Sequence, residues 1–192
     1  MLFNNQLQIL PVEVPDFSDR EITDEPVFAK ATVAEALERG RGITRFFVEE
    51  VLPKELRENP RTRLRTELHQ PRELDARQKW HVDEFPNNYG NGLTGLFTVG
   101  DRRNTDVLSA LQVPPEREQK FWQEEAFDQW IEEEIRAGRA SFEVLKTGTW
   151  VQSNRPFIHR GGSVLNVGPR WVLDVGIQNA SQDRFEQEWS EL

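Results

Sequence analysis

The sequence predicts a mainly β domain, a sandwich or barrel of short strands with flanking helices. Three observations carry that prediction. Segments 141–146, 149–154, 157–159 and 170–178 read as strands separated by Gly, Asn and Pro turns. Two further strand-like segments, 78–83 and 93–99, precede them. Helical patterns fall only before and between these runs, the arrangement expected of a β core with helical buttresses. At 192 residues, with 36% apolar and 30% charged residues, 12 Phe and 6 Trp, the chain has the composition of one globular domain spanning 1–192. Its β core covers about 78–178.

The elements follow in order. Pro11, Pro15 and Pro26 break the first thirty residues into short strands and turns. Thr32-Val33-Ala34-Glu35 has the spacing of a capping box, and the helix it opens is expected to stop near Gly40. More helix follows over 44–59, interrupted by Pro53, so 32–59 forms a helical buttress. The stretch 54–79 holds eight Lys/Arg against five Asp/Glu and is read as a solvated, salt-bridged face. Residues 85–92 form a loop rich in residues that tolerate left-handed backbone, and 100–104 a polar turn. The strongest helix covers about 115–137: Phe127, Ile131 and Ile135 recur at i+4 beside Trp130, and Gly138 supplies the stop. This inserted helix is either a lid over a cleft or a plain buttress. The tail 183–192 reads as a half-helix packing Phe185 and Trp189.

A net charge of −9 argues against a nucleic-acid or anionic-membrane surface, which needs clustered cations. The chain has no cysteine, hence neither disulfides nor thiolate chemistry. No segment reads as a signal peptide or a membrane span, which leads to the expectation of a soluble cytoplasmic protein. Glycine-rich phosphate loops, serine nucleophile elbows, zinc-binding helix motifs and Asp-rich calcium clusters are absent from the sequence.

The residues that carry chemistry are two of the three histidines. His81 stands in Trp80-His81-Val82-Asp83, and His159 in Ile158-His159-Arg160, with Arg170 eleven residues further on. On a strand, positions i and i+2 share a face, so His81 and Asp83 can point into one cavity. Arg170 opens the next strand, sharing a face with Val172 and Asp174, while Trp171, Leu173, Val175 and Ile177 take the other. If that second set packs under helices, Arg170 looks inward. Two imidazoles and one carboxylate on one face of an octahedral metal describe a non-haem Fe(II) site with open positions. His-x-Asp alone carries little in so acidic a chain; the ordered set with His159 and Arg170 carries more.

That set, over roughly 78–178, resembles the signature of the 2-oxoglutarate/Fe(II)-dependent dioxygenases, and Trp80-His81-x-Asp83 is most similar to their taurine dioxygenase-like branch. The resemblance implies a double-stranded β-helix, or jelly-roll, barrel. It implies that His81, Asp83 and His159 bind Fe(II) and that Arg170 pairs with the distal carboxylate of 2-oxoglutarate, with Thr105 adding a hydrogen bond to the same co-substrate. The implied reaction oxidises a substrate while 2-oxoglutarate is split to succinate and CO₂. A carboxylate at position 83 points to hydroxylation rather than halogenation.

Other residues have weaker claims. Tyr89 in the Asn/Gly loop, Arg102 in the following turn and Trp80 are candidate substrate contacts, Trp80 and Trp150 being read first as core aromatics. His69 lacks metal spacing and is read as a non-ligand. Arg160 is expected on the face opposite His159, toward solvent or a surface carboxylate, and Asp174 is expected to orient Arg170 or a neighbouring polar group. A small molecule, an amino acid or a peptide residue all remain open as substrate. Two other functions compete: a cupin-like metal barrel without 2-oxoglutarate, which has no need of Arg170, and a non-catalytic acidic interaction domain.

Overall fold

A computed structural model describes residues 2–3, 7–69, 79–82, 93–100, 103–112, 125–153, 157–164 and 168–178. Among them, two antiparallel sheets face each other. One has the order β2 (Gln8–Pro11), β9 (Thr149–Ser153), β6 (Thr94–Val99), β11 (Arg170–Ile177), β4 (Thr62–His69), β3 (Ala31–Thr32). The other has the order β1 (Leu2–Phe3), β7 (Arg103–Gln112), β10 (Ile158–Val164), β5 (His81–Val82), with β8 (Ala140–Leu145) also paired to β7. Neighbours in each sheet are mostly distant in sequence. The result is a double-stranded β-helix, as the resemblance implied.

Alternation along each strand divides the apolar residues into three layers. Trp171, Leu173 and Val175 of β11, with Leu64 of β4 and Phe97 of β6, face outward under four short helices: α1 (Asp19–Asp24), α2 (Val33–Arg39), α3 (Gly42–Phe46) and α4 (Lys54–Arg57). A π-turn over Phe47–Val51 joins α3 toward α4 and buries Phe47 and Val48. Leu96, Val107, Val151, Phe157 and Val172 fill the space between the sheets. On the outer face of the β7–β10 sheet, α5 (Glu125–Arg136) seats Phe127 and Ile131 against Trp80, Leu108, Leu111 and Ile158.

The Thr32 capping box forms: its hydroxyl accepts from the Glu35 amide, and Glu35 reaches back to the Thr32 amide. The helix stops at Gly40, but that glycine keeps a negative φ of −71°. It is there for space, because a Cβ would lie 2.5 Å from Ala36 O and from Thr44. Gly138, at φ +70°, does end α5 through a left-handed backbone.

Three expectations need correction. The first thirty residues include a helix as well as strands, opened by a second capping box from Ser18 to Glu21. The Arg-rich stretch contains an eight-residue strand, β4, whose Thr62, Leu64 and Thr66 are buried. The polar turn is shorter than 100–104, since Arg103 and Asn104 already belong to β7. Residues 85–92, 115–124 and 183–192 lie outside the described residues. Within the described chain, no helix is long and apolar enough to cross a membrane.

Candidate metal and co-substrate cavity

A cavity of about 200 Å³ opens between the sheets at the start of β11. It gathers residues that are far apart in sequence: His81, Thr105, His159 and Arg170, together with Arg65, Glu67, His69 and Asp174. The sheet registers explain the gathering. His159 lies directly opposite His81 across the β10–β5 pair, and Gly161 opposite Thr105 across β10–β7. From the facing sheet, Arg170 pairs with His69 across β11–β4.

The two imidazoles are 4.5 Å apart between ring centroids. His81 Nδ1 lies 2.7 Å from the Lys79 carbonyl oxygen, and His159 Nδ1 lies 3.3 Å from that of Phe157. A carbonyl can only accept, so each Nδ1 carries the proton, and in the neutral ring Nε2 holds the lone pair. A backbone carbonyl that fixes the tautomer in this way is the usual support of a metal-binding histidine. The donor set therefore fits a divalent metal of the imidazole-binding kind. Asp83 lies outside the described residues, and among those described no three His, Asp or Glu side chains are placed to hold an ion. Tyr89 and Arg102 also lie outside.

Arg170 is 3% exposed, and its Nη2 donates to Thr105 Oγ1 at 2.5 Å. This bond spans the two sheets, tying the guanidinium of β11 to the hydroxyl of β7. Arg170, Val172 and Asp174 line the cavity, whereas Trp171, Leu173 and Val175 pack outward, so the alternation read from the sequence sets the direction of the arginine.

Asp174 orients a neighbouring polar group, one of the two roles expected of it. It accepts two bonds from Arg65, 2.9 Å from Nε and 2.7 Å from Nη2, across the β4–β11 pair. Arg65, Glu67 and His69 alternate along β4 and form one wall of the cavity. From the sequence this stretch reads as a solvated, salt-bridged face with His69 a non-ligand, and its place in the cavity wall was not expected. The signal for the wall was the alternation Thr62, Leu64, Thr66, Leu68, which turns the intervening charged residues to the other face.

Of two further residues, Trp80 is the core aromatic that the sequence reads it as first, and Arg160 is more deeply buried than expected. Trp80 does not face the cavity: it is 2% exposed, on the outer face of its sheet, with its indole nitrogen donating to Glu132 Oε1 at 2.9 Å. Arg160 does lie opposite His159 and does meet carboxylates, but it is buried rather than at the surface, between Asp106 and Glu132. The described part of the inserted helix, α5, covers this outer face and is a buttress.

No family model and no curated protein matches the sequence. Among solved structures, the chain is similar to SnoK, a non-heme alpha ketoglutarate dependent carbocyclase from nogalamycin biosynthesis, with a TM-score of 0.50 at 14% identity over 92% of this chain and 81% of that one. It also aligns with an N-substituted L-amino acid dioxygenase from Burkholderia ambifaria AMMD (TM-score 0.44, 14% identity, 91% and 84% covered). A third is HygX from Streptomyces hygroscopicus with nickel and 2-oxoglutarate bound (TM-score 0.46, 10% identity, 92% and 84% covered). At 14% identity the likeness to SnoK establishes the fold alone.

Proposed function

We propose that the chain is a non-haem Fe(II)- and 2-oxoglutarate-dependent oxygenase. The observation that carries this reading is the meeting, in one cavity, of two tautomer-fixed histidines with a buried arginine bonded to a threonine. In this reading His81 and His159 supply Nε2 to the iron and Asp83 supplies the third ligand. O₂ would be the oxidant: bound iron would activate it, one oxygen atom going to 2-oxoglutarate as it becomes succinate and CO₂ and the other being left to oxidise the substrate.

The chain's own residues bind and orient. Arg170 takes the distal carboxylate of 2-oxoglutarate through its planar fork, and Thr105 holds that fork in place while offering its own hydrogen bond. Burial strengthens this pairing by excluding water from the charged contact. The wall of Arg65, Glu67 and His69 faces the substrate, which suits a small polar molecule, an amino acid or a peptide residue better than an apolar one. The reaction is a hydroxylation or related oxidation in the cytoplasm. Arg170 favours this over a cupin-like metal barrel, which has no need of an arginine at that spacing.

Anaerobic titration with Fe(II) and 2-oxoglutarate tests the reading. The visible charge-transfer band of the chelate is expected in the wild type and should be lost in Asp83→Ala. No band in the wild type overturns the proposal. Fe(II) bound with full affinity but no band on adding 2-oxoglutarate would favour the metal barrel instead.

A further inference from the structure

Behind the cavity, on the outer face of the same sheet, a single side chain touches the chain neighbours of two site residues and is itself the neighbour of a third. Arg160 is 6% exposed. Its Nε donates to Asp106 Oδ2 at 2.8 Å, and its Nη1 to Glu132 Oε1 at 2.5 Å. Its guanidinium lies over the Trp80 ring, 4.2 Å from the centroid, and 5.7 Å from the Phe142 ring. Trp80 is bonded to the same Glu132 through its indole nitrogen, and its backbone amide donates to Asp128 Oδ1 at 2.8 Å.

The chain neighbours of these contacts are what give them meaning. Trp80 precedes His81, Asp106 follows Thr105, and Arg160 follows His159. Successive strand residues point to opposite faces, so a residue in the cavity has its neighbour on the outer face. Strands β5, β7 and β10 thus each place one residue in the site, and the chain neighbours of those residues, Trp80, Asp106 and Arg160, meet behind it. Helix α5 closes the group with Glu132 and Asp128. Gly162 makes room for it, because a Cβ there would lie 2.6 Å from Asp106 Oδ1. A shift of any of the three strands against the others would have to break a charge-assisted bond or a stacking contact in a buried place.

We infer that Arg160 is a positioning residue of the cavity: it acts through β5, β7 and β10 to hold His81, Thr105 and His159 in their mutual geometry, and it makes the docking of α5 part of that geometry. What is positioned is described as a metal and co-substrate site, and to that extent the inference rests on the proposed function. The carboxylates of Asp106 and Glu132 need a forked cation that can reach both while lying flat on an indole. Lysine keeps the charge and loses the fork.

The test compares Arg160→Lys and Glu132→Gln with Leu56→Ala, a change in the opposite outer layer that destabilises without touching this sheet. Fe(II) and 2-oxoglutarate affinities are read from the anaerobic charge-transfer band, and the imidazole ¹⁵N resonances of His81 and His159 are read by NMR on metal-free protein. Arg160→Lys is expected to weaken Fe(II) binding by about 10- to 100-fold, the usual scale for residues that orient metal ligands. Both histidine resonances should shift, while Leu56→Ala leaves them in place. Glu132→Gln should move the same resonances in the same direction, and it carries the test alone if Arg160→Lys does not fold. Unchanged affinity and unchanged resonances in a folded Arg160 or Glu132 variant overturn the inference, as do equal shifts in Leu56→Ala. Absence of a band in the wild type would sink the proposed function, and the metal-free resonances would still decide the positioning role.

Discussion

Arg170 and Thr105 are joined by a bond across the barrel, and the two ends of that bond make different predictions. Arg170→Ala removes a charged donor pair and should weaken 2-oxoglutarate binding by about 10- to 150-fold, the equivalent of roughly 1.5–3 kcal/mol for hydrogen bonds to a charge. Arg170→Lys should recover little of this, since an ammonium cannot make the forked contact. Thr105→Val removes only a neutral partner, about 1 kcal/mol, and should cost about fivefold in the same titration. If Thr105→Val were as damaging as Arg170→Ala, the hydroxyl would be carrying as much of the ligand's binding as the guanidinium. Space matters as much as polarity at single positions. A Cβ on Gly95 would lie 1.9 Å from the Trp150 ring. That ring cannot retreat, being 1% exposed, packed 5.4 Å from the Phe47 ring, and tied to Gln152 by its indole nitrogen. Gly95→Ala is therefore expected to lower unfolding free energy by about 1–3 kcal/mol in denaturant titrations, the scale of an overpacked core.

At the scale of elements, the short helices survive through their ends rather than their length. Helix α3 has no cap from its own N-cap residue, Arg41. Instead Glu25, 4% exposed, accepts from the amides of Arg41, Ile43 and Thr44 and from the Thr44 hydroxyl at 2.6 Å. Glu25→Ala should leave these donors unmet and cost about 2–3 kcal/mol by chemical denaturation, more than either local cap. Those caps also set an acid response. The hydroxyl and amide of Ser18 hold the Glu21 carboxyl below its ordinary value, and the amide and hydroxyl of Thr32 do the same for Glu35. A carboxylate depressed in the folded state stabilises above its unfolded value, near 4.5, and loses that contribution as pH falls through the lower folded value. The double variant Glu21→Gln, Glu35→Gln should accordingly lose less stability than the wild type between about pH 6 and about pH 3, measured by thermal melting. Elements with such local signals were legible: the Thr32 box, Gly138, and the alternation of β11 that turned Arg170 inward. Strand β4 was not, because its charged residues face a cavity and so mimic a solvated surface. Arg160 was misjudged for a related reason: its burial depends on α5 arriving from another part of the chain with Glu132. The Thr105–Arg170 contact likewise follows from the registers of two separate sheets, which no local pattern encodes.

The described residues form a stack of five layers: helices α1–α4, one sheet, the mixed apolar and polar space between sheets, the second sheet, and α5. The two outer cores are distinct clusters, one holding Leu173, Leu64 and Phe97 and the other Phe127, Ile131 and Leu108. Facing sheets pack about 10 Å apart, so side chains on their opposite outer faces cannot touch. Among the described residues, coupling between the outer cores passes through the strands, and at the cavity end those strands enclose open space rather than packed side chains. Leu173→Ala and Phe127→Ala, each at a fully buried position, should individually cost about 2–5 kcal/mol of unfolding free energy. Their effects on that quantity should add, with an interaction term under about 0.5 kcal/mol in a double-mutant cycle. Their effects on the cavity should differ, because Phe127 seats the helix that grips Arg160 and Trp80 while Leu173 sits behind the strand that carries Arg170. Phe127→Ala should then weaken Fe(II) binding more than 2-oxoglutarate binding, and Leu173→Ala the reverse. Parallel losses in both variants would mean that the barrel responds to any outer defect as one body, and that the two sheets do not divide the site between a metal side and a co-substrate side.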